Sequence, residues 1–196
     1  MEIQSKSLYL SKDEFFYSFK EQTKGITHKV FLESGRGGHY SIAAWNPFVI
    51  VKSVEEGIHI TWQNGQTELR NGESLALVEE LINEYKLEVD SSLPPFQGGA
   101  IGFISYDYAR KIEHLPQLAE DTLNVPDLYF YLFNEWAVHN VKTDEVTLMK
   151  LQQSVVDLTE WANEWEAAAT TGLHSRLFQA GKAVDVVNDE NELQIS

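Results

Sequence analysis

The chain of 196 residues contains no cysteine, which excludes disulfide bonds and thiolate metal sites. It also lacks any apolar run long enough to span a bilayer. Residues 1–6 do not show the basic and then hydrophobic pattern of a signal peptide. These absences predict a cytoplasmic protein that makes no contact with a membrane.

Basic residues are scarce. The sequence has 15 Lys and Arg against 30 Asp and Glu, which gives a formal net charge of −15. An acidic surface repels phosphate backbones, and no stripe of Lys or Arg offsets this charge. The composition therefore predicts that the protein does not bind nucleic acid, and the excess of acid is expected to serve solubility.

Patterns that assemble catalytic or metal sites are also missing. The six histidines form no His-x-x-x-His pair, and the sequence has no Gly-x-Ser-x-Gly nucleophile elbow. The glycines of residues 35–38 lack the Lys and Ser/Thr of a phosphate loop, and those of residues 98–102 precede or enter a strand instead of following one. Tight turns and close packing are the favoured interpretation of both glycine clusters. We expect no catalytic residue, metal ligand or cofactor site in this chain.

What the sequence does contain predicts an α+β fold. Ser11 and Glu14 have the spacing of a helix capping box, and Asn64-Gly65 is typical of a two-residue hairpin turn. Helical periodicity predicts further helices at 74–86 and from Val155 onward, and Gly172 is expected to weaken or end the second of these. The strands are predicted at 28–33, 40–45, 49–54, 58–62, 67–69, 99–105 (as a central strand), 128–139 and 145–151, the last two as one long hairpin.

We therefore expect a large, mainly antiparallel assembly of two packed sheets with about three helices. Residues 115–124 are expected to form a polar excursion from this assembly. Residues 1–182 are predicted to form one domain, followed by an acidic connector at 183–196.

Five short motifs occur in an order that resembles a known family. Leu-Glu-Ser and Tyr-Ser-Ile come first, at 32–34 and 40–42, and Phe-Gln-Gly-Gly-Ala-Ile-Gly-Phe follows at 96–103. Tyr-Asp-Tyr-Ala-Arg at 106–110 and Val-Pro-Asp-Leu-Tyr-Phe at 125–130 complete the series. Over residues 5–151 the chain resembles the amino-terminal region of chorismate-utilising synthases, which are the large subunits of anthranilate synthase and aminodeoxychorismate synthase. The compact string at 32–42 resembles the aminodeoxychorismate synthases of the folate pathway more closely.

The resemblance implies a non-catalytic role for this segment. In these synthases chorismate and Mg²⁺ bind a carboxy-terminal region whose signature sequences have no counterpart here, and ammonia comes from a glutamine amidotransferase partner. The amino-terminal region also helps to form a pocket for L-tryptophan between two sheets. The resemblance assigns to this pocket Leu32, Glu33, Ser34, Tyr40 and Ser41. A segment of an anthranilate synthase with a feedback site, or a stand-alone module that binds an aromatic amino acid or docks a partner, remain the alternatives.

Overall fold

The computed structural model of the chain describes residues 2–109, 113 and 125–180. The described strands are β1 (Ile3–Tyr9), β2 (Lys29–Leu32), β3 (Tyr40–Trp45), β4 (Val49–Val54), β5 (Gly57–Trp62), β6 (Thr67–Asn71), β7 (Ala100–Ile104), β8 (Leu128–Leu132), β9 (Glu135–Asn140) and β10 (Glu145–Leu151). The helices are α1 (Lys12–Gln22), α2 (Ser74–Glu84) and α3 (Leu158–Ala180), with a short 3₁₀ turn at Tyr106–Tyr108.

The strands form two five-stranded sheets. The first sheet has the order β1-β10-β9-β3-β2, and the second has the order β6-β5-β4-β8-β7. Every neighbouring pair in both sheets is antiparallel. The predicted α+β class, with two antiparallel sheets and three helices, is confirmed.

Helices α1 and α3 cover one face of the first sheet. Ala43 and Leu148 of the sheet are fully buried in one cluster with Phe15 of α1 and Trp165 of α3. The ring of Phe15 stacks on Trp165 at 5.0 Å and on His139 of β9 at 5.1 Å. Because side chains alternate along a strand, the neighbours of these sheet residues point to the opposite face.

That opposite face of the first sheet packs against the second sheet. Trp136 of β9 and Met149 of β10 are buried with Ile101 of β7, and Tyr131 of β8 packs against the same cluster. The indole of Trp136 donates a hydrogen bond to the carbonyl of Phe96 over 3.1 Å. Helix α2 closes the far face of the second sheet through Val78 and Leu81 in a separate cluster.

Two predicted strands differ from the structure. Residues 128–139 form no single strand, because the chain leaves the second sheet after Leu132 and enters the first sheet at Glu135. This change of sheet lets Leu132 and Trp136 belong to different buried clusters. Strand β7 is also not central, since among the described residues it pairs only with β8.

Three smaller differences concern turns and ends. The loop between β5 and β6 spans residues 63–66, with Gly65 at φ +85°, so it is longer than a two-residue turn. Helix α3 continues through Gly172, because one internal glycine costs a helix only about 1 kcal/mol. Strand β1 was not predicted from the sequence at all.

Some predictions fall on residues outside the described part of the chain. These are the polar excursion at 115–124 and the connector at 183–196. Within the described part, no helix combines the length and the apolar character needed to cross a membrane.

Candidate functional site

A cavity of about 460 Å³ lies on the face of the first sheet that is turned away from α1 and α3. Its volume falls within the range of roughly 300–1,000 Å³ that is usual for small-molecule sites. The cavity is lined by Ser5, Ser7, Tyr40, Ser91, Ser92, Leu93, Pro94, Val138, Asn140, Glu145 and Thr147.

Strand alternation explains why these side chains share one wall. In the register of the sheet, Ser7 lies opposite Thr147, Thr147 opposite Val138, and Asn140 opposite both Glu145 and Tyr40. Their side chains therefore lie on the same face of the sheet as Val138, which belongs to the cluster between the sheets. The cavity is therefore a polar continuation of that apolar cluster, at the end of the sheet where the second sheet no longer covers it.

The loop at residues 91–94 supplies the rest of the wall, and Gln97 holds this loop. The buried amide of Gln97 donates to the carbonyls of Asp90 and Pro94 over 2.6 and 3.1 Å, and its oxygen accepts from the backbone N–H of Asp90 over 2.8 Å. The next residue, Gly98, has φ +118°, and a Cβ there would lie 2.7 Å from the side chain of Leu87. The Phe-Gln-Gly-Gly motif thus builds the loop beside the cavity.

The chemistry of the lining suits binding. Serine and threonine hydroxyls both donate and accept, and Glu145 accepts a hydrogen bond from the hydroxyl of Ser7 over 2.8 Å. Tyr40, Leu93 and Pro94 add apolar surface beside these polar groups. A molecule with an aromatic ring and an ammonium group would find a carboxylate, hydroxyls and a ring in this cavity.

Two of the predicted tryptophan-site residues meet in the connection between β2 and β3. The backbone N–H of Ser34 donates to the hydroxyl of Ser41 over 2.9 Å, and Ser41 is buried. The Ser34 hydroxyl is buried without a hydrogen-bond partner among the described residues. The backbone of Gly38 lies close to this hydroxyl, since a Cβ at Gly38 would lie 2.6 Å from the Ser34 oxygen.

The other three predicted residues do not converge on one point. Tyr40 lines the cavity, and Leu32 lies on the same face of the sheet with 46% of its surface exposed. Glu33 instead forms an exposed ion pair with Lys12 of α1 at 2.6 Å. Within the described structure, only Tyr40 of the five predicted residues is part of the cavity wall.

Sequence reasoning missed the cavity residues of β1 and β10. Ser5 and Ser7, and likewise Glu145 and Thr147, stand two residues apart, so each pair shares one face of its strand. This alternation of polar residues was the available signal. On β1 no strand was predicted over residues 3–9, so its alternation had no element to belong to. On β10 the strand was predicted, but the face that meets Tyr40 is set by its pairing with β9 and, through β9, with β3.

The Tyr-Asp-Tyr-Ala-Arg motif, which follows β7, has an architectural role. The hydroxyl of Tyr108 donates to the carboxylate of Glu73, which also caps α2 by accepting from the N–H groups of Leu75 and Ala76 over 3.0 and 2.7 Å. Burial is the main reason that the pKa of Tyr108 is raised, and the Glu73 carboxylate adds to it. In the described ranges, no three His, Asp or Glu side chains come close enough together to hold a metal ion.

Comparison with known proteins finds two kinds of synthase that are similar to this chain. The chain is 37% identical over 144 residues to aminodeoxychorismate synthase component 1 of Bacillus subtilis, across 74% of this chain and 30% of the relative. It is 33% identical over 113 residues to anthranilate synthase component 1 of Acetivibrio thermocellus, across 56% of this chain and 23% of the relative. The chain is homologous to part of these chorismate-binding synthase components. No protein-family model matches it.

One solved structure is also similar to the chain. The crystal structure of anthranilate synthase component I from Streptococcus pneumoniae matches 84% of this chain and 34% of its own length, with 27% identity and a TM-score of 0.48. The chain thus spans about a third or less of the length of the relatives it matches.

Proposed function

We propose that this chain is the amino-terminal, non-catalytic segment of a chorismate-aminating synthase of the folate pathway. The full enzyme would convert chorismate and glutamine-derived ammonia into 4-amino-4-deoxychorismate. The observation that carries this proposal is the 37% identity to aminodeoxychorismate synthase component 1 across 74% of the chain. Matches to anthranilate synthase components are shorter, with 33% identity across 56% of the chain in one relative and 42% identity across only 31% of the chain in another.

The catalytic groups of such an enzyme would lie outside this segment. From the family resemblance we assign Mg²⁺ and chorismate to a carboxy-terminal region, and the supply of ammonia to a glutamine amidotransferase partner. Among the described residues, no group of three His, Asp or Glu side chains lies close enough together to hold a metal ion. Taken alone, residues 1–196 are expected to be inactive.

The edge of the second sheet offers a surface for that carboxy-terminal region. Phe103, Ile104 and Tyr106 are exposed by 44%, 49% and 89% on and just after β7. Exposed apolar side chains beside an edge strand are typical of a surface that another part of the protein covers. Hydrophobic contact there would hold the two regions of the synthase together.

A mixing experiment tests this arrangement. The chain is combined with the Bacillus subtilis component from which the region matched by this chain has been deleted, and binding is followed by analytical ultracentrifugation. The double variant F103S/I104S is expected to weaken association at least about tenfold, because apolar area is lost from the contact. The control L69S changes a residue that is 59% exposed on β6, at the opposite edge of the same sheet, and should leave association intact. Equal association of the parent chain, F103S/I104S and L69S would contradict the assignment of β7 to the contact with the carboxy-terminal region.

We further propose that the cavity beside Tyr40 takes part in binding L-tryptophan. The aromatic and apolar side chains would face the indole, and Glu145 with the hydroxyls would face the ammonium group. Ser34 and Ser41 would hold the connection between β2 and β3, with Leu32 and Glu33 at its start. Because the rest of the pocket would come from the proposed carboxy-terminal region, the isolated segment should bind tryptophan weakly, with a dissociation constant above about 0.1 mM.

Calorimetry of the isolated chain with L-tryptophan checks this expectation. Tight binding would contradict the shared pocket and would favour a stand-alone module that senses aromatic amino acids. With the carboxy-terminal region present, Y40A is expected to lower tryptophan affinity. The control Y9A alters a tyrosine that is 70% exposed on β1 and does not line the cavity.

A further inference from the structure

Strand β6 forms one edge of the second sheet. Among the described residues it pairs only with β5, so its other side presents backbone groups to an open edge. An edge of this kind is a template for pairing with a further strand. It lies at the opposite end of the sheet from β7, and is therefore separate from the surface proposed above for the carboxy-terminal region.

The hydrogen bonds of β6 show which of its backbone groups point outward. The backbone N–H of Trp62 donates to the carbonyl of Gln66 over 2.9 Å. Because hydrogen-bonded pairs recur at every second residue of an antiparallel ladder, residues 66, 68 and 70 direct their backbone groups to β5. The backbone groups of Thr67, Leu69 and Asn71 therefore point to the open edge.

The side chains of β6 are arranged symmetrically about Leu69. This leucine is 59% exposed at the middle of the strand, on the face of the sheet that is turned away from α2. Glu68 and Arg70 flank it on the opposite face, where Arg70 forms ion pairs with Glu68 and with Glu84 of α2, each at 2.7 Å. These pairs use the Nε and Nη1 groups of Arg70, so Nη2 can donate to a further carboxylate.

This symmetry matches a second copy of the same strand. When two β6 strands pair antiparallel with Leu69 opposite Leu69, their outward backbone groups meet, each Glu68 lies opposite an Arg70, and each Thr67 lies opposite an Asn71. The two nearest registers that also join the outward backbone groups place Glu68 opposite Glu68 or Arg70 opposite Arg70. Like charges directly opposite each other destabilise a sheet, so charge selects the symmetric register.

We propose that two copies of this chain pair through β6 and join their second sheets into one continuous sheet. The two Leu69 side chains pack on each other at the centre of the contact, and Arg70 of each copy bonds Glu68 of the other. The net charge of −15 on each chain opposes this association. At about 0.15 M salt, where charges are screened beyond about 8 Å, we expect a weak homodimer with a dissociation constant of about 0.1 mM.

Amide hydrogen exchange of the full chain, followed by NMR, tests the strand pairing. The N–H groups of Glu68 and Arg70 are bonded to β5 and should exchange slowly at any protein concentration. The outward N–H groups of Leu69 and Asn71 should exchange about threefold more slowly at about 0.5 mM than at about 20 µM protein, because exchange follows the fraction of monomer. Exchange at Leu69 that is the same at both concentrations, whether fast or slow, would overturn the proposal.

Charge-reversal variants, checked for folding by circular dichroism, test the register. E68R and R70E each set like charges opposite each other, so in analytical ultracentrifugation each alone should dimerise at least about tenfold more weakly than the parent. An equimolar mixture of the two restores opposite charges across the contact and should associate about as tightly as the parent. The control E164R makes the same charge change as E68R on α3 and should not weaken dimerisation. E68R that associates as tightly as E164R, or a mixture of folded variants that associates no more tightly than its components, would overturn the proposal.

Discussion

His139 shows how one buried residue links the core to pH. Its ring is fully buried, and one nitrogen lies 3.0 Å from the carbonyl of Leu10 while Nδ1 has no partner among the described residues. Burial lowers the pKa of His139 below its ordinary value of 6.5, although nearby Asp144 opposes this shift. The folded protein therefore prefers the neutral ring.

The sign of the pH dependence follows from that preference. As pH falls below about 6.5, the unfolded chain takes up a proton at His139 before the folded chain does, so the free energy of unfolding decreases. H139N should be less stable than the parent at pH 8, and its free energy of unfolding should depend less on pH. Urea unfolding at several values between about pH 5 and pH 8 measures the free energy of unfolding and its pH dependence. A slope that is unchanged in H139N would contradict the assignment.

Gln97 is the residue whose removal should loosen the cavity wall. Q97A deletes three hydrogen bonds to the backbone of residues 90 and 94, and leaves these groups to find other partners. We expect a loss of about 1–3 kcal/mol in the free energy of unfolding. Faster hydrogen exchange should follow in the loop at 91–94. The exposed Gln63 provides the control Q63A, and equal stability of the two variants would contradict the role of Gln97.

At the scale of elements, strand β7 depends on a glycine. A Cβ at Gly102 would lie 2.0 Å from the carbonyl oxygen of Tyr129 and 2.7 Å from the Cα of Phe130, so β7 and β8 would have to separate. G102A is expected to cost roughly 3 kcal/mol or to prevent pairing of the two strands. Thermal unfolding measures the effect. G35A, where a Cβ meets nothing within 4 Å, is the control, and a similar melting temperature for both would refute this account.

Local signals predicted some elements well. The capping box at the start of α1 forms as expected, with Ser11 and Glu14 bonded to each other's backbone. Helix α2 forms within the predicted range 74–86, and Val78 and Leu81 lie on its buried face. These features depend on neighbours in sequence, so the sequence alone carries them.

Other elements depend on distant partners and were not predictable in this way. Strand β1 carries Gln4, Ser5, Lys6 and Ser7 and is stabilised by pairing with β10, about 140 residues later. The break between Leu132 and Glu135 exists because the two sheets meet there. The cavity residues on β1 and β10 also come together only through pairing of strands that are distant in sequence. There was therefore no basis in the sequence for grouping them with Tyr40, which was assigned to a site by resemblance alone.

At the scale of the whole molecule, the two sheets form a sandwich with helices on both outer faces. The cavity at Tyr40 opens at the end of the intersheet cluster, and the exposed apolar edge lies at β7. Both features suit a segment that is completed by another region. From the 37% identity to aminodeoxychorismate synthase component 1, we propose that the gene product containing this chain aminates chorismate.

The measurement that tests this claim most directly uses the complete product of the gene that encodes the chain. It is given chorismate, Mg²⁺ and ammonium, and a lyase that converts aminodeoxychorismate is then added. The account predicts 4-aminobenzoate after the lyase is added and no anthranilate fluorescence before it. Strong anthranilate fluorescence would contradict the folate assignment in favour of anthranilate synthesis, and a folded protein that leaves chorismate unchanged would contradict the proposed function altogether.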